Sequence, residues 1–145
     1  LSDDKELNVR RTVARNRKTP SDILSKLSDD GDSDVRSIVA KNPNTPVEIL
    51  VKMSTDDDLF VRENVAINPN TPVELLVKMS DDENASVRAT VTQNPKTPVE
   101  ILVKLSNDPV SFVRSYVAQN PTYEAYIASS QQIAERWIRL AGLLN

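Results

Sequence analysis

The chain has 145 residues, 39% of them hydrophobic and 27% charged, with a net charge of −3. That is enough for one domain with its own core, and it provides no general positive field to draw in nucleic acid or anionic membrane. Cysteine and histidine are both absent, which removes disulfides, thiolate and Ser-His-Asp chemistry and every His- or Cys-ligated metal.

In chain order, the first stretch, 1–26, begins at Leu1 and places Val9-Arg10 ahead of a basic run, Arg11, Arg15, Arg17 and Lys18, and then Thr19-Pro20. The next, 27–52, brings an acidic run from Asp29 to Asp34, then Val35-Arg36, Asn42-Pro43 and Thr45-Pro46. Stretches 53–78 and 79–104 repeat the order with Val61-Arg62 and Thr71-Pro72, then Val87-Arg88 and Thr97-Pro98. The segment 105–130 keeps Val113-Arg114 but reads NPTYEAYIASS where the others have Thr-Pro. Val-Arg therefore recurs every 26 residues. The string NPNTPVEILVKMS at Asn42–Ser54 returns with one change at Asn68–Ser80, and again as NPKTPVEILVKLS at Asn94–Ser106. A fixed period of this length is the mark of a solenoid, in which one supersecondary unit buries its apolar face only against its neighbours.

Each unit predicts two short helices. Thr45, Pro46 and Glu48 have the spacing of a capping box with proline at the first helical position, as do Thr71, Pro72, Glu74 and Thr97, Pro98, Glu100. The other helix carries Val-Arg. Val35 and Val39 share a face, and Asn42-Pro43 stops the helix, because a residue before proline avoids the α region. Two apolar columns should form the core: Val9, Val35, Val61, Val87 and Val113, and Leu1, Leu27, Met53, Met79 and Leu105. The acidic run DDGDSD lacks the order and closing glutamate of a calcium loop and is expected to cap a helix in solvent. After the repeats, Tyr126, Ile127, Ile133, Ala134, Trp137, Ile138 and Ala141 follow helical spacing, so 122–145 is expected to form a helix that caps the exposed end of the stack.

The pattern S-D-D…V-R-x-x-V-A-x-N-P-x-T-P-x-E-[IL]-L over residues 1–121 resembles the variant leucine-rich repeat (LRV) family. The resemblance implies an all-α, right-handed superhelix of short helix pairs, with one helix of the pair allowed to be 3₁₀, and it implies no single activity. One family member holds an iron–sulfur cluster on cysteines outside its repeats. With no cysteine here, that feature does not carry over and no cofactor is expected.

An aspartate stands six residues before each arginine of the Val-Arg step, as in HEAT repeats: Asp4 and Arg10, Asp30 and Arg36, Asp56 and Arg62, Asp82 and Arg88, Asp108 and Arg114. The expected structure is a ladder in which each arginine bridges carboxylates of its own unit and the next, since its planar fork serves several acceptors. The column Asn16, Asn42, Asn68, Asn94 and Asn120 is expected to cap the backbone of its own turn. A binding face should lie where the copies differ. Phe60, Ile67, Phe112 and Tyr116 are large apolar residues in columns that elsewhere hold, apart from Ile38, only polar residues, and with Arg11, Arg15 and Lys41 they form the candidate surface. Charge is uneven along the axis: the first unit has seven bases against four acids, while the next four units are each net acidic.

With no nucleophile–base pair and no metal set, the chain is not expected to be an enzyme. It is expected to be an interaction scaffold that holds a protein or peptide along its concave face. The alternative is a nucleic-acid-binding solenoid that uses the basic first unit and the arginine ladder. No membrane span or signal peptide is visible, so a cytoplasmic location is expected. At Leu1, inside a repeat, no cap is visible, so further chain or association with a second copy is expected there.

Overall fold

The computed structural model describes residues 2–142, and the side chains of residues 6–142. The described residues form ten α-helices and no strand: α1 (Ser2–Arg15), α2 (Ser21–Leu27), α3 (Ser33–Lys41), α4 (Val47–Met53), α5 (Leu59–Ile67), α6 (Val73–Met79), α7 (Ala85–Val91), α8 (Val99–Leu105), α9 (Ser111–Ala118) and α10 (Pro121–Leu140). Both helices of each unit are α-helical, so no unit uses a 3₁₀ partner among the described residues.

The odd-numbered helices carry Val-Arg and pack on one another in sequence, each also against the short helix beside it. The short helices α2, α4, α6 and α8 approach one another less closely. The Val-Arg helices therefore form the more closely packed layer of the stack. Between the layers runs one continuous core. Val35, Val61, Val87 and Val113 are fully buried in one column, and Leu24, Leu50, Leu76 and Leu102 in another. Met53, Met79 and Leu105 are buried and Leu27 half-buried; Leu1 lies outside the described residues. Val9, first of its column, is 61% exposed, with no unit among the described residues stacked on its outer side.

The short helices begin differently from expectation. Their N-cap residues are the prolines, Pro46, Pro72 and Pro98, with no side-chain capping bond. The capping box does not form. Thr45, Thr71 and Thr97 turn backward, and each hydroxyl donates at 2.5–2.6 Å to the carbonyl of Val39, Val65 or Val91 at the end of the preceding helix. These threonines are buried. Each of these carbonyls also accepts from the N–H of Asn42, Asn68 or Asn94, so the hydroxyl is a second donor that ties the start of the short helix to the end of the one before it. Glu48, Glu74 and Glu100 point into solvent.

The fifth unit lacks that threonine. Tyr123 occupies its position, and the side chain of Asn120 instead accepts from the N–H groups of Thr122 and Tyr123. With proline at the start, α10 begins four residues early and runs on for 20 residues. Ala128 and Gln131 stand where other units place buried Leu and Met, so the helix has little to insert into the core. Only Tyr123 and Ile127 are half-buried, and α10 packs on α8 and α9. From Ala128 through Gly142 every side chain is exposed.

The stretch after Ser130, expected to cover the end of the stack, therefore buries none of its described side chains. Truncation after Ser130 is expected to change the unfolding free energy by less than about 0.5 kcal/mol, the usual range for exposed positions. Urea titrations of the full and truncated chains make the comparison. A larger loss, or a less cooperative transition, would show that the distal part of α10 covers core.

Candidate interaction surface

The arginine–aspartate columns form a ladder that runs between units. Arg36 holds the carboxylate of Asp56 with two parallel bonds, at 2.8 Å from Nε and 2.9 Å from Nη2. Arg62 does the same to Asp82 at 2.8 and 3.1 Å, and Arg88 to Asp108 at 2.7 and 3.0 Å. Arg10 reaches Asp30 at 2.7 Å. The expected bridge to the carboxylate of the arginine's own unit is not what forms there. Nη1 of Arg36, Arg62, Arg88 and Arg114 donates instead to the backbone carbonyl of Asp30, Asp56, Asp82 and Asp108, at 2.6–2.9 Å. The side chains of Asp30, Asp56, Asp82 and Asp108 are already committed, each to the arginine of the unit before and to the N–H two residues on. The side chain of Asp4 lies outside the described residues. Arg114 ends the ladder: the position twenty residues on is Ala134, and the arginine side chain is exposed.

The rungs also set protonation. The hydrogen bond from Arg88 holds the Asp108 carboxyl below its ordinary value despite burial. Burial pushes Asp56 up, but the bonds from Arg36 and the Asp58 N–H, with the charges of Arg36 and Arg62, bring it below its ordinary value. Depressed carboxylates contribute stability above their unfolded pKa, and it is lost as pH falls through the folded one. The acidic loop before α3 is committed in the same way: Asp30 takes Arg10, and Asp32 accepts from the Val35 N–H to cap the helix.

A second ladder is only half legible in the sequence. The asparagine side chains accept from their own turn, as in Asn68 Oδ1 with the Asn70 N–H at 2.8 Å. Their amides reach back across the unit boundary. Asn42 Nδ2 donates to the Ala14 and Asn16 carbonyls, Asn68 to Ala40 and Asn42, and Asn94 to Ala66 and Asn68, at 2.6–3.2 Å. All three asparagines are buried.

What the two ladders leave free is the outer stripe of the Val-Arg helices. On α5, Phe60 is 61% exposed and Ile67 37%. Seven residues apart, they share one face. On α9, Phe112 and Tyr116 are also exposed. Asn64 lies between Phe60 and Ile67 and donates to Ser37 of the unit before. Glu63 is half-buried beside them, and burial pushes its carboxyl up. Arg11 is not free: it pairs with Asp34 at 2.5 Å and lies 3.4 Å from Asp32. Arg15 and Lys41 are exposed and line a cleft with Arg17, Ile38, Asn42 and Pro43. Among the described residues, no group of metal-ligating side chains is brought together, and no helix is long and apolar enough to cross a membrane.

The sequence matches the family described as leucine rich repeat variant over residues 7–32, 34–58 and 59–84, more than half of the chain. A solved structure, described as a leucine-rich repeat variant with a novel repetitive protein structural motif, is 35% identical and superposes with a TM-score of 0.59. The match covers 72% of this chain and 42% of that one. No curated protein matches the sequence.

Proposed function

Since the chain belongs to the leucine rich repeat variant family, a stack whose polar columns hold the units together, we propose that it is a non-catalytic scaffold that binds a protein segment along the Val-Arg face. The observation that carries this reading is two exposed apolar pairs, Phe60 and Ile67 on α5 and Phe112 and Tyr116 on α9. Ile38 shares the column of Tyr116, but in each of these columns at least three units place polar residues, so stacking does not demand large apolar ones. Exposed apolar groups that the fold does not need are the usual anchors of an interface. The nucleic-acid alternative needs the ladder arginines as well as the basic first unit, and Arg36, Arg62 and Arg88 are each held by a carboxylate.

The test replaces Phe60 and Ile67 with serine. A partner is captured from host lysate and identified, then titrated by calorimetry against wild type and the double variant. Affinity is expected to fall about thirtyfold, the effect of losing one interface anchor of about 2 kcal/mol. Thermal melts should coincide, because both side chains are exposed. Equal affinities would remove the α5 pair from the interface.

A further inference from the structure

Unit one departs from the repeat in one direction, toward positive charge, and does so at a cleft. Arg15 heads a column that continues as Lys41, Ile67, Gln93 and Gln119. Arg17 stands where the other four units carry proline: Pro43, Pro69, Pro95 and Pro121. Neither cation is needed for stacking, since the later units stack without them. Arg15, Arg17 and Lys41 are all exposed and converge on a cleft floored by the half-buried Ile38 and Pro43. Among the described residues no carboxylate pairs with any of the three; the nearby pairs take Arg10 and Arg11 instead.

The cleft is built on fixed backbone. Asn42 Nδ2 holds the Asn16 carbonyl at 3.0 Å, the Asn16 side chain takes the Lys18 N–H at 2.9 Å, and the Asn44 side chain donates to the Arg17 carbonyl. The turn that presents Arg17 is thus set before anything binds, which lowers the ordering cost of binding. Two helix C-termini, those of α1 and α3, end here. Their partial negative charge already favours nearby cations and makes a poor seat for a compact phosphate. Carboxylates met further out by long Arg and Lys side chains suffer less from it, and the apolar floor suits a peptide rather than a bare anion.

We propose that this cleft binds the acidic end of an extended peptide whose apolar residues continue onto Ile67 and Phe60. The proposal rests on the reading of the Val-Arg face as a peptide-binding surface. It also fixes a spacing. Neighbouring helices lie about 8–10 Å apart and an extended chain advances about 3.3 Å per residue. A peptide passing from Lys41 to Ile67 therefore has its acidic and apolar residues about three positions apart.

The test is selection from a random twelve-residue peptide library displayed on phage, run on wild type and on the triple variant Arg15→Gln, Arg17→Gln, Lys41→Gln. Glutamine already fills the first column at Gln93 and Gln119, so the fold should tolerate it. Wild type is expected to enrich peptides with Asp or Glu about three residues from Leu, Ile or Phe, and the triple variant to keep the apolar preference and lose the acidic one. The best wild-type peptide should bind the variant at least tenfold more weakly, with a flatter salt dependence. Apolar enrichment without acidic bias, or acidic bias that survives in the variant, overturns the cleft proposal alone. No enrichment on wild type overturns it together with the peptide-binding reading. A twenty-nucleotide single-stranded DNA that outcompetes the selected peptide on wild type, and not on the variant, would assign the cleft to phosphates and also overturn it.

Discussion

Arg62→Ala is expected to cost about 3–5 kcal/mol in unfolding free energy, the usual result of stranding one member of a buried pair. Arg62 is 8% exposed overall, and the Arg62 and Asp82 side chains are each 9% exposed. Its removal leaves the Asp82 carboxylate without its two guanidinium bonds and the Asp56 carbonyl without its donor. Asp82→Ala should cost a similar amount, and the double variant less than the sum, because the second change removes the stranded charge. Arg114→Ala is the control. It has the same backbone bond to Asp108 but no carboxylate at the next rung, so its loss should cost about 1 kcal/mol or less. Urea titrations with unchanged m-values give the comparison. Equal losses at Arg62 and Arg114 would show that the inter-unit bond contributes little.

The ladder also shows where a periodic sequence stops being informative. With a 26-residue period, Arg36 lies six residues after Asp30 and twenty before Asp56. The two spacings always occur together, so the letters cannot say which carboxylate the guanidinium takes. Geometry decides: the side chain of Asp30 is used by Arg10, and only its carbonyl remains for Arg36. The same ambiguity holds at Thr45. Thr-Pro-Val-Glu reads equally as the start of one helix or as the lock on the end of the previous one, and the buried Val39 carbonyl takes the hydroxyl.

The all-helical stack and its apolar columns were legible because burial repeats with the period. The outer stripe was legible for the opposite reason: Phe60 and Ile67 break the columns they stand in, and a residue that stacking does not need is left to face solvent. The pairing of Arg11 was hidden because its partners, Asp32 and Asp34, lie 21 and 23 residues away, off the repeat spacing. The path of α10 was hidden as well. Helical spacing in the tail says which residues share a face, not whether anything packs on it.

Asn68 carries the second large effect. It is 1% exposed, and its side chain makes three bonds: its amide donates to the Ala40 and Asn42 carbonyls, and its oxygen accepts from the Asn70 N–H. Asn68→Ala leaves the Ala40 carbonyl and the half-buried Asn70 N–H without these bonds, while the Asn42 carbonyl keeps the Thr45 N–H, at a cost of about 2–3 kcal/mol. Asn68→Asp is nearly the same shape, and it keeps the acceptor for Asn70. It replaces the donor, however, with a second anionic oxygen facing the Ala40 and Asn42 carbonyls. Burial of such a charge is penalised more heavily than a missing bond. The aspartate variant should therefore be the less stable of the two at neutral pH. Its deficit should shrink as pH falls, because a protonated carboxyl can again donate to a carbonyl. Urea midpoints of both variants at neutral and mildly acidic pH provide the check. If Asn68→Asp is as stable as wild type, or gains nothing on acidification, the asparagine amide does not hold the units together.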